Sequence, residues 1–415
     1  MVKLLNIMMI LCLAFPSVIH AKTNLSGVSV ALVRDGDLWM RSGEQEQKLT
    51  DEKAIDNSPP KWSYDGQMLL YQKNVVKNER ASNELWVYDL KTKKHRKIYD
   101  DGQNPKWSPT NNMIAFSDNG ILNIADSEDF YAVALGIDDY EWLPSGKGFI
   151  ATSSASLRPD GWTNPSLYTI SLEQGYRGLT DLTQHVKELF IIPKEVTKGN
   201  TTIPAISAGA FTFSPNGQWL SFIIYPTASW SMDSDMLSVI ALDGTGFEVI
   251  DEVIPDFEPK WASRKNLLGY IAGGGRIVFG FKNKDLKVTE LPANYTVSLT
   301  PENYAEIGFT WITDGSLVVS RVKEGDWSNV AIKRPKPSLY YVSLASQKQQ
   351  EITTPPKNEG DYHPVFLPAI MKLTWIRKSD IAETTGDLWI ADPNGANAKV
   401  WIKNVSAYSF YPMRR

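Results

Sequence analysis

Cysteine is almost missing from this chain: one residue in 415, Cys12. It falls within an apolar leader, so the rest of the protein has no material for disulfides, thiol catalysis or thiolate–metal bonds. Histidine is scarce as well. Beyond the leader only His95, His185 and His363 occur, widely separated and outside any H-E-x-x-H spacing, so no metal site and no cofactor are expected. The G-x-S-x-G elbow of a serine hydrolase is absent, which removes that route to catalysis. Neither charge sign is in large excess. The formal net charge is −4, which argues against a nucleic-acid partner, since that would need a basic face. After the leader no apolar run approaches the roughly 20 residues of a membrane span.

The leader has the build of a secretory signal. Lys3 supplies the positive start, Leu4 to Phe15 is nearly all apolar, and Ala21 closes a segment running through Ser17, Val18, Ile19 and His20. A retained anchor is the alternative, and the shortness of the apolar run opposes it. Lipid attachment at Cys12 is opposed by Met9-Ile10-Leu11, which lacks the small residue usual before a lipidated cysteine. The expectation is a signal peptide over 1–21, a single domain over 22–415, and a monomer that is secreted, in a periplasm or outside the cell.

What the chain does have is tryptophan in a repeated place. The segments PKWSYDG (60–66), PKWSPTN (105–111), YEWLPSG (140–146), FTFSPNG (211–217), PKWASRK (259–265), FTWITDG (309–315) and PVFLPAI (364–370) each set an aromatic before a turn. The anchors are Trp62, Trp107, Trp142, Phe213, Trp261, Trp311 and Phe366, and each is expected in the core. A period of about 40–50 residues carrying short strands signals a β-propeller of four-stranded blades. Seven complete units can be counted. Residues 28–50 supply three further strands, and AYSFYPMRR at 407–415 supplies a first strand with Phe410 in the anchor place. The fold class is therefore all-β, a propeller of about eight blades (seven is the alternative), with its two terminal segments paired so that no strand edge stays open.

Several placements follow from the pattern. FIATSS (149–154), SLYTISL (166–172) and GLTDLT (178–183) read as successive strands of one blade, with 185–206 as a surface excursion or a lid after it. LLGYIAG (267–273) and RIVFGF (276–281) read as strands joined by a tight hairpin at Gly273 to Gly275. Tight turns are also expected around Asp118-Asn119 and from Arg34 to Asp37. Five connections between second and third strands read as long loops: 73–83, 155–165, 226–235, 323–337 and 379–386.

PKWSYDGQMLLYQ, PKWSPTNNMIAFS and DLWIADPNG together resemble the TolB-type propeller repeat, over nearly all of the chain after the leader. The resemblance implies the fold and little about activity, because similar propellers serve as binding proteins and as gating domains of peptidases. Only Asp65-Gly66 and Asp314-Gly315 keep the Asp-Gly turn, and the blades are expected to begin within a few residues of the cleavage site, where TolB-type proteins place a separate domain ahead of the propeller.

Function must then come from the loops. Three long ones carry a tryptophan outside the repeat: Trp162, Trp230 and Trp327. Aromatics presented on one face of a rigid scaffold mark a binding surface, whereas the alternative is that each folds back over the rim of its blade. Arg158, Lys333, Arg334 and Lys336 lie nearby and would suit a polar or anionic partner. The expected function is a secreted, non-enzymatic propeller binding a protein, peptide or glycan through one face. The alternatives are a hydrolase or lyase acting on a glycan in the central funnel, and an accessory subunit of a cell-envelope complex. Export is checked by the mass of the protein recovered outside the cytoplasm: it should begin at about residue 22, and an intact leader on the exported chain would overturn the assignment.

Overall fold

The computed structural model describes residues 27–411 apart from 57, 78, 128, 228–233, 255–256 and 276–278. Among these the regular secondary structure is nearly all strand, in eight successive four-strand antiparallel units. The first is made of Ala407–Phe410, Ser29–Arg34, Asp37–Ser42 and Gln45–Lys48. The second contains Lys61–Trp62, Met68–Lys77, Arg80–Asp89 and Lys94–Tyr99, the third Gln103–Trp107, Ile114–Asp118, Ile121–Ala125 and Phe130–Leu135. In the fourth are Asp139–Trp142, Gly148–Ser153, Ser166–Ser171 and Val186–Ile191, and in the fifth Ser207–Phe213, Trp219–Tyr225, Asp235–Ala241 and Glu248–Val253. The sixth has Lys260–Trp261, Leu267–Ala272, Asp285–Glu290 and Tyr295–Ser298, tied to the fifth by the single pair Val253 and Ala272. Tyr304–Thr313, Ser316–Lys323, Ser338–Ser343 and Gln349–Glu351 form the seventh; Gly360–Leu367, Lys372–Lys378, Gly386–Ala391 and Lys399–Val405 form the eighth. No helix among the described residues is long and apolar enough to cross a membrane.

The turn after each anchor explains why the repeat folds this way. In the second sheet Ser63 Oγ donates to Asp65 Oδ1 at 2.7 Å and accepts from the Met68 amide at 2.9 Å, while Asp65 Oδ1 accepts from the Gln67 amide at 2.9 Å. Gly66 stands at φ +70, where a side chain would be strained. Ser214, Asn216 and Gly217 (φ +67) rebuild the same turn in the fifth sheet. A short polar side chain thus satisfies the amides of the turn, and the apolar strand that follows enters at a fixed register.

The core lies between sheets. Leu32 of the first sheet packs with Leu388, Ile390 and Trp401 of the eighth; Ala31, Val33 and Leu38 pack with Trp62, Leu69 and Tyr71 of the second. Similar clusters join each later sheet to the next. The terminal segments pair as expected, Val30 opposite Phe410 and Val33 opposite Ala407.

Four expectations are corrected. Residues 73–83 are no loop: the ladder continues to Lys77 opposite Arg80, because the polar residues there pair as a two-stranded extension. GLTDLT is not the fourth strand of its sheet; the Asp181 carboxylate accepts from the Thr183 amide (2.9 Å) and hydroxyl (2.7 Å), which curls the segment, and Val186–Ile191 takes the place. Residues 195–204 are neither a lid nor a surface excursion but a hairpin, Glu195–Lys198 with Thr201–Pro204, whose Val196 and Ile203 are buried in the core of the fourth and fifth sheets. RIVFGF is not a strand over its described part, 279–281, and Gly273 to Gly275 do not form a two-residue hairpin. The third strand of the sixth sheet is Asp285–Glu290, whose Leu286 and Val288 point inward, while Phe281 is spent on a separate cluster with Ile307 and Tyr362. The anchors also differ in burial. Trp62 and Trp142 are buried, whereas Trp107, Phe213, Trp261, Trp311 and Phe366 are half-buried.

Removing residues 406–415 strips Ser29–Arg34 of its partner and Trp62 of its acceptor, the carbonyl of Ser409 at 3.2 Å. The expected outcome is a melting temperature lowered by 10 °C or more, roughly what a loss of several kcal/mol produces in a chain of this size. A truncated protein that melts with the full chain would refute it.

Candidate functional site

The innermost strands of a propeller face a central channel, and here their side chains follow a rule. Each anchor tryptophan donates its indole N–H to the carbonyl of the residue just before the preceding anchor: Trp107 to Lys61 (2.9 Å), Trp142 to Lys106 (3.2 Å), Trp261 to Thr212 (3.3 Å), Trp311 to Lys260 (2.8 Å). The residue before the anchor answers in the other direction. Lys61 Nζ donates to Pro105 O (2.6 Å), Lys106 Nζ to Tyr140 O (2.6 Å), Lys260 Nζ to Phe309 O (2.9 Å), and Ser409 Oγ to Pro60 O. Three lysines are thereby held along the innermost strands by the PKW triplets.

A second regularity stands three residues before the anchors. Asn104 (φ +47), Ala210 (φ +53), Gly308 (φ +152) and His363 (φ +51) all occupy left-handed backbone, and the pairing register slips at each of these places. A bulge of this kind re-aims the side chain it carries. Left-handed backbone in a residue other than glycine costs about 1–3 kcal/mol. At Asn104 the outcome is a clamp: its amide donates to Asp139 Oδ1 at 2.7 Å, and the Ala210 amide donates to Asp139 Oδ2 at 3.2 Å. At His363 the ring remains exposed beside a small cavity of about 240 Å³ lined by Glu258, Lys260, Phe309 and Pro364.

The electrostatics of these groups are uneven. Lys106 pairs with Glu141 at 2.9 Å. Lys61 is pushed down to about 8, first by burial and then by repulsion from Lys106, against the opposing pull of Glu141. Burial also lowers Lys260, with only Glu258 acting the other way. His363 falls to about 4 through burial, reinforced by Lys378 and Lys260. Its ring is exposed to water yet surrounded by protein, which is what the wall of a narrow channel gives. No cluster of three or more potential metal ligands exists among the described residues.

The residues named from the loops lie elsewhere and do not converge. Trp162 sits on a small hairpin, Leu157–Arg158 with Gly161–Trp162, that projects between the second and third strands of the fourth sheet. It is 36% exposed and its cross-strand neighbour Leu157 is 68% exposed; Arg158 is exposed as well. Trp327 stacks on Phe281 with centroids 6.0 Å apart and carries the Arg334 guanidinium 3.9 Å above its ring. Arg334 and Lys336 both pair with Asp380, so they brace their loop. Lys333 is exposed on a single 3₁₀ turn, Ala331–Lys333. Trp230 lies outside the described residues. The channel lysines and His363 were missed, although PKW occurring three times was the signal that could have found the lysines.

No family model and no curated protein matches the chain. Solved structures do. A eukaryotic initiation factor is 12% identical with a TM-score of 0.58, over 93% of this chain and 88% of that one. The dihydro-heme d1 dehydrogenase NirN, in complex with DHE, is 13% identical with a TM-score of 0.56, over 96% and 77%. TolB from Acinetobacter baumannii is 18% identical over 66% and 64%, with a TM-score of 0.37 that carries no argument. The chain spans 53% of the length of a Mycobacterium tuberculosis puromycin-hydrolyzing peptidase that it also matches. At such identities the likeness shows the β-propeller fold alone.

The lowered His363 pKa has a consequence for stability. Because the folded value of about 4 lies below the ordinary 6.5, the unfolded chain takes up the proton first as pH falls. Stability is therefore lost progressively from about pH 6.5 to about pH 4. His363→Asn should show a smaller fall in urea midpoint between pH 7 and pH 4.5 than the unsubstituted protein. Equal falls would show that the imidazole is not held neutral.

Proposed function

We propose that this chain is an exported propeller that binds a protein, peptide or glycan partner through the projecting hairpin of the fourth sheet. The observation that carries the reading is the exposed pair Leu157 and Trp162, set side by side across a two-stranded hairpin with Arg158 at its turn. A monomer gains nothing from showing an indole and an isobutyl group together to water, and a hairpin holds both at low conformational cost. Arg158 adds a donor fork for a carboxylate or for hydroxyl groups. Trp230, on the corresponding connection of the fifth sheet in sequence, lies outside the described residues. Trp327, Arg334 and Lys336 brace a loop of the seventh sheet, away from this hairpin, and Lys333 is exposed on that loop.

The test is a screen of glycan and peptide arrays with the exported protein and with a Leu157→Ala/Trp162→Ala variant. Ligands found by the first should bind the variant at least 30-fold more weakly, about 2 kcal/mol, with the melting temperature unchanged. Retained binding by the variant, or a lowered melting temperature with normal binding, would reject this face.

A further inference from the structure

Two features on opposite faces of the propeller have no partner within one copy. In each sheet every strand reverses the one before it. The turns between first and second strands therefore open on one face, and the connections between second and third strands on the other. The hairpin of Leu157 and Trp162 belongs to the second of these faces. On the first face, neighbouring turns are tied to each other. Asn112 Nδ2 donates to Asp65 Oδ2 at 2.8 Å between the second and third sheets, and Ser263 Oγ and the Arg264 amide both donate to Asp314 Oδ1 at 3.0 Å between the sixth and seventh. Between the turns of the seventh and eighth sheets a cleft of about 650 Å³ opens instead. Its wall is mainly apolar, with half-buried Trp311 and Phe366 and exposed Pro368 and Met371. Arg264 and Asp314 supply its charges.

The hairpin and the cleft match in three respects. Leu157 and Trp162 are an exposed apolar pair, and the cleft has an apolar wall and the volume of a site that encloses groups of that size. The hairpin carries one cation and one anion two residues apart, Arg158 and Asp160, and the cleft carries one of each on adjoining turns. Among the described residues the side chains of Arg158, Asp160 and Arg264 make no hydrogen bond or ion pair, and Asp314 keeps Oδ2 unused. Finally, the two features lie on opposite faces, so a copy cannot fill its own cleft, whereas a second copy can.

We infer that the hairpin of one copy enters the cleft of a second copy, with Leu157 and Trp162 against Trp311, Phe366 and Met371, Arg158 on Asp314, and Asp160 on Arg264. This names the partner of the hairpin and rests on the binding role proposed for it. The monomer expected from the sequence gives way to a head-to-tail association. The contact is heterologous: each copy offers one hairpin and one cleft, so association does not close at a dimer and extends into short chains. An unrelated protein would have to reproduce the apolar pair and both charges, whereas every copy carries them in equal number. A contact made by one hairpin falls below the roughly 1,200 Å² of a standard interface, so the chains are weak and depend on concentration.

Sedimentation velocity on the full exported protein tests it, over a roughly hundredfold range of concentration around the micromolar level. Leu157→Ala/Trp162→Ala disables the hairpin and Met371→Lys disables the cleft. The unsubstituted protein should show a mean mass that rises with concentration and passes that of a dimer. Each variant alone should stay a monomer with an unchanged melting temperature, since all three side chains are exposed. An equimolar mixture of the two variants should form a heterodimer and nothing larger, because one intact hairpin and one intact cleft remain. Charge exchange leaves the apolar contacts alone: Asp160→Lys or Arg264→Glu should weaken association about tenfold or more, and both changes in one chain should restore it. A monomer at every concentration, association that survives either variant, a mixture that fails to pair, or charge exchange without recovery would each overturn the inference. A monomer whose hairpin still captures a ligand on the arrays would reject the second copy as partner and leave the binding face standing.

Discussion

The indole N–H bond from one sheet to the carbonyl of the sheet before it is the contact on which the rest depends. Five interfaces carry it, those entered by Trp62, Trp107, Trp142, Trp261 and Trp311. Sheets pack through apolar side chains, which are non-directional and by themselves allow neighbouring blades to slide. A hydrogen bond at 2.8–3.3 Å does not. It fixes the height of each innermost strand against the next, and that alignment is what lets the lysine ahead of each tryptophan find a carbonyl two residues before the following anchor. Where phenylalanine replaces tryptophan, other donors take over. Thr152 Oγ1 bonds to Ala208 O at 2.9 Å at the fifth sheet, and the Phe366 amide to Thr310 Oγ1 at 3.3 Å at the eighth.

That same alignment explains the unequal charge inside. A lysine at the position before the anchor is half enclosed whatever its neighbours are. Lys106 finds Glu141 because the fourth sheet happens to carry an acid at the matching place, whereas Lys61 and Lys260 meet Lys106 and a threonine, Thr310, there. The fold accepts two cations with weak compensation where a neutral residue serves the same hydrogen bond at Ser409. Retaining lysine at such places is a departure from what stability alone would select, and departures of that kind gather at functional sites.

Most of the architecture was legible in the chain because its signal is local. A Trp, a Ser and an Asn-Gly or Asp-Gly within seven residues specify an anchor and its turn without reference to anything distant. Phe410 could be assigned as the missing anchor for the same reason, and Trp62 bonding to Ser409 O agrees with it. Failures came where two apolar segments competed for one place in a ladder. The more apolar RIVFGF reads as the strand, yet DLKVTE (285–290) holds the place in the ladder, and Phe281 packs instead with Ile307, Tyr362 and Trp327. Trp327 shows the same limit at the site: its loop position suggested a free indole, but Phe281 and Arg334 enclose it from two sides. His363 could not be read as a channel residue, because the bulge that turns it depends on register with Lys372–Lys378 and leaves no mark in the sequence.

The first sheet takes three strands from one end of the chain and its innermost strand from the other, with Val30 opposite Phe410. Contacts of such separation are the slowest to form, since the loop that must close is nearly the whole polypeptide. Ser29–Arg34 therefore remains an open edge for as long as Ala407–Phe410 has not arrived during synthesis. A protein arranged in this way is assembled last at its beginning, and a chain cut short anywhere before residue 407 presents the same unpaired strand to proteases and to other copies of itself.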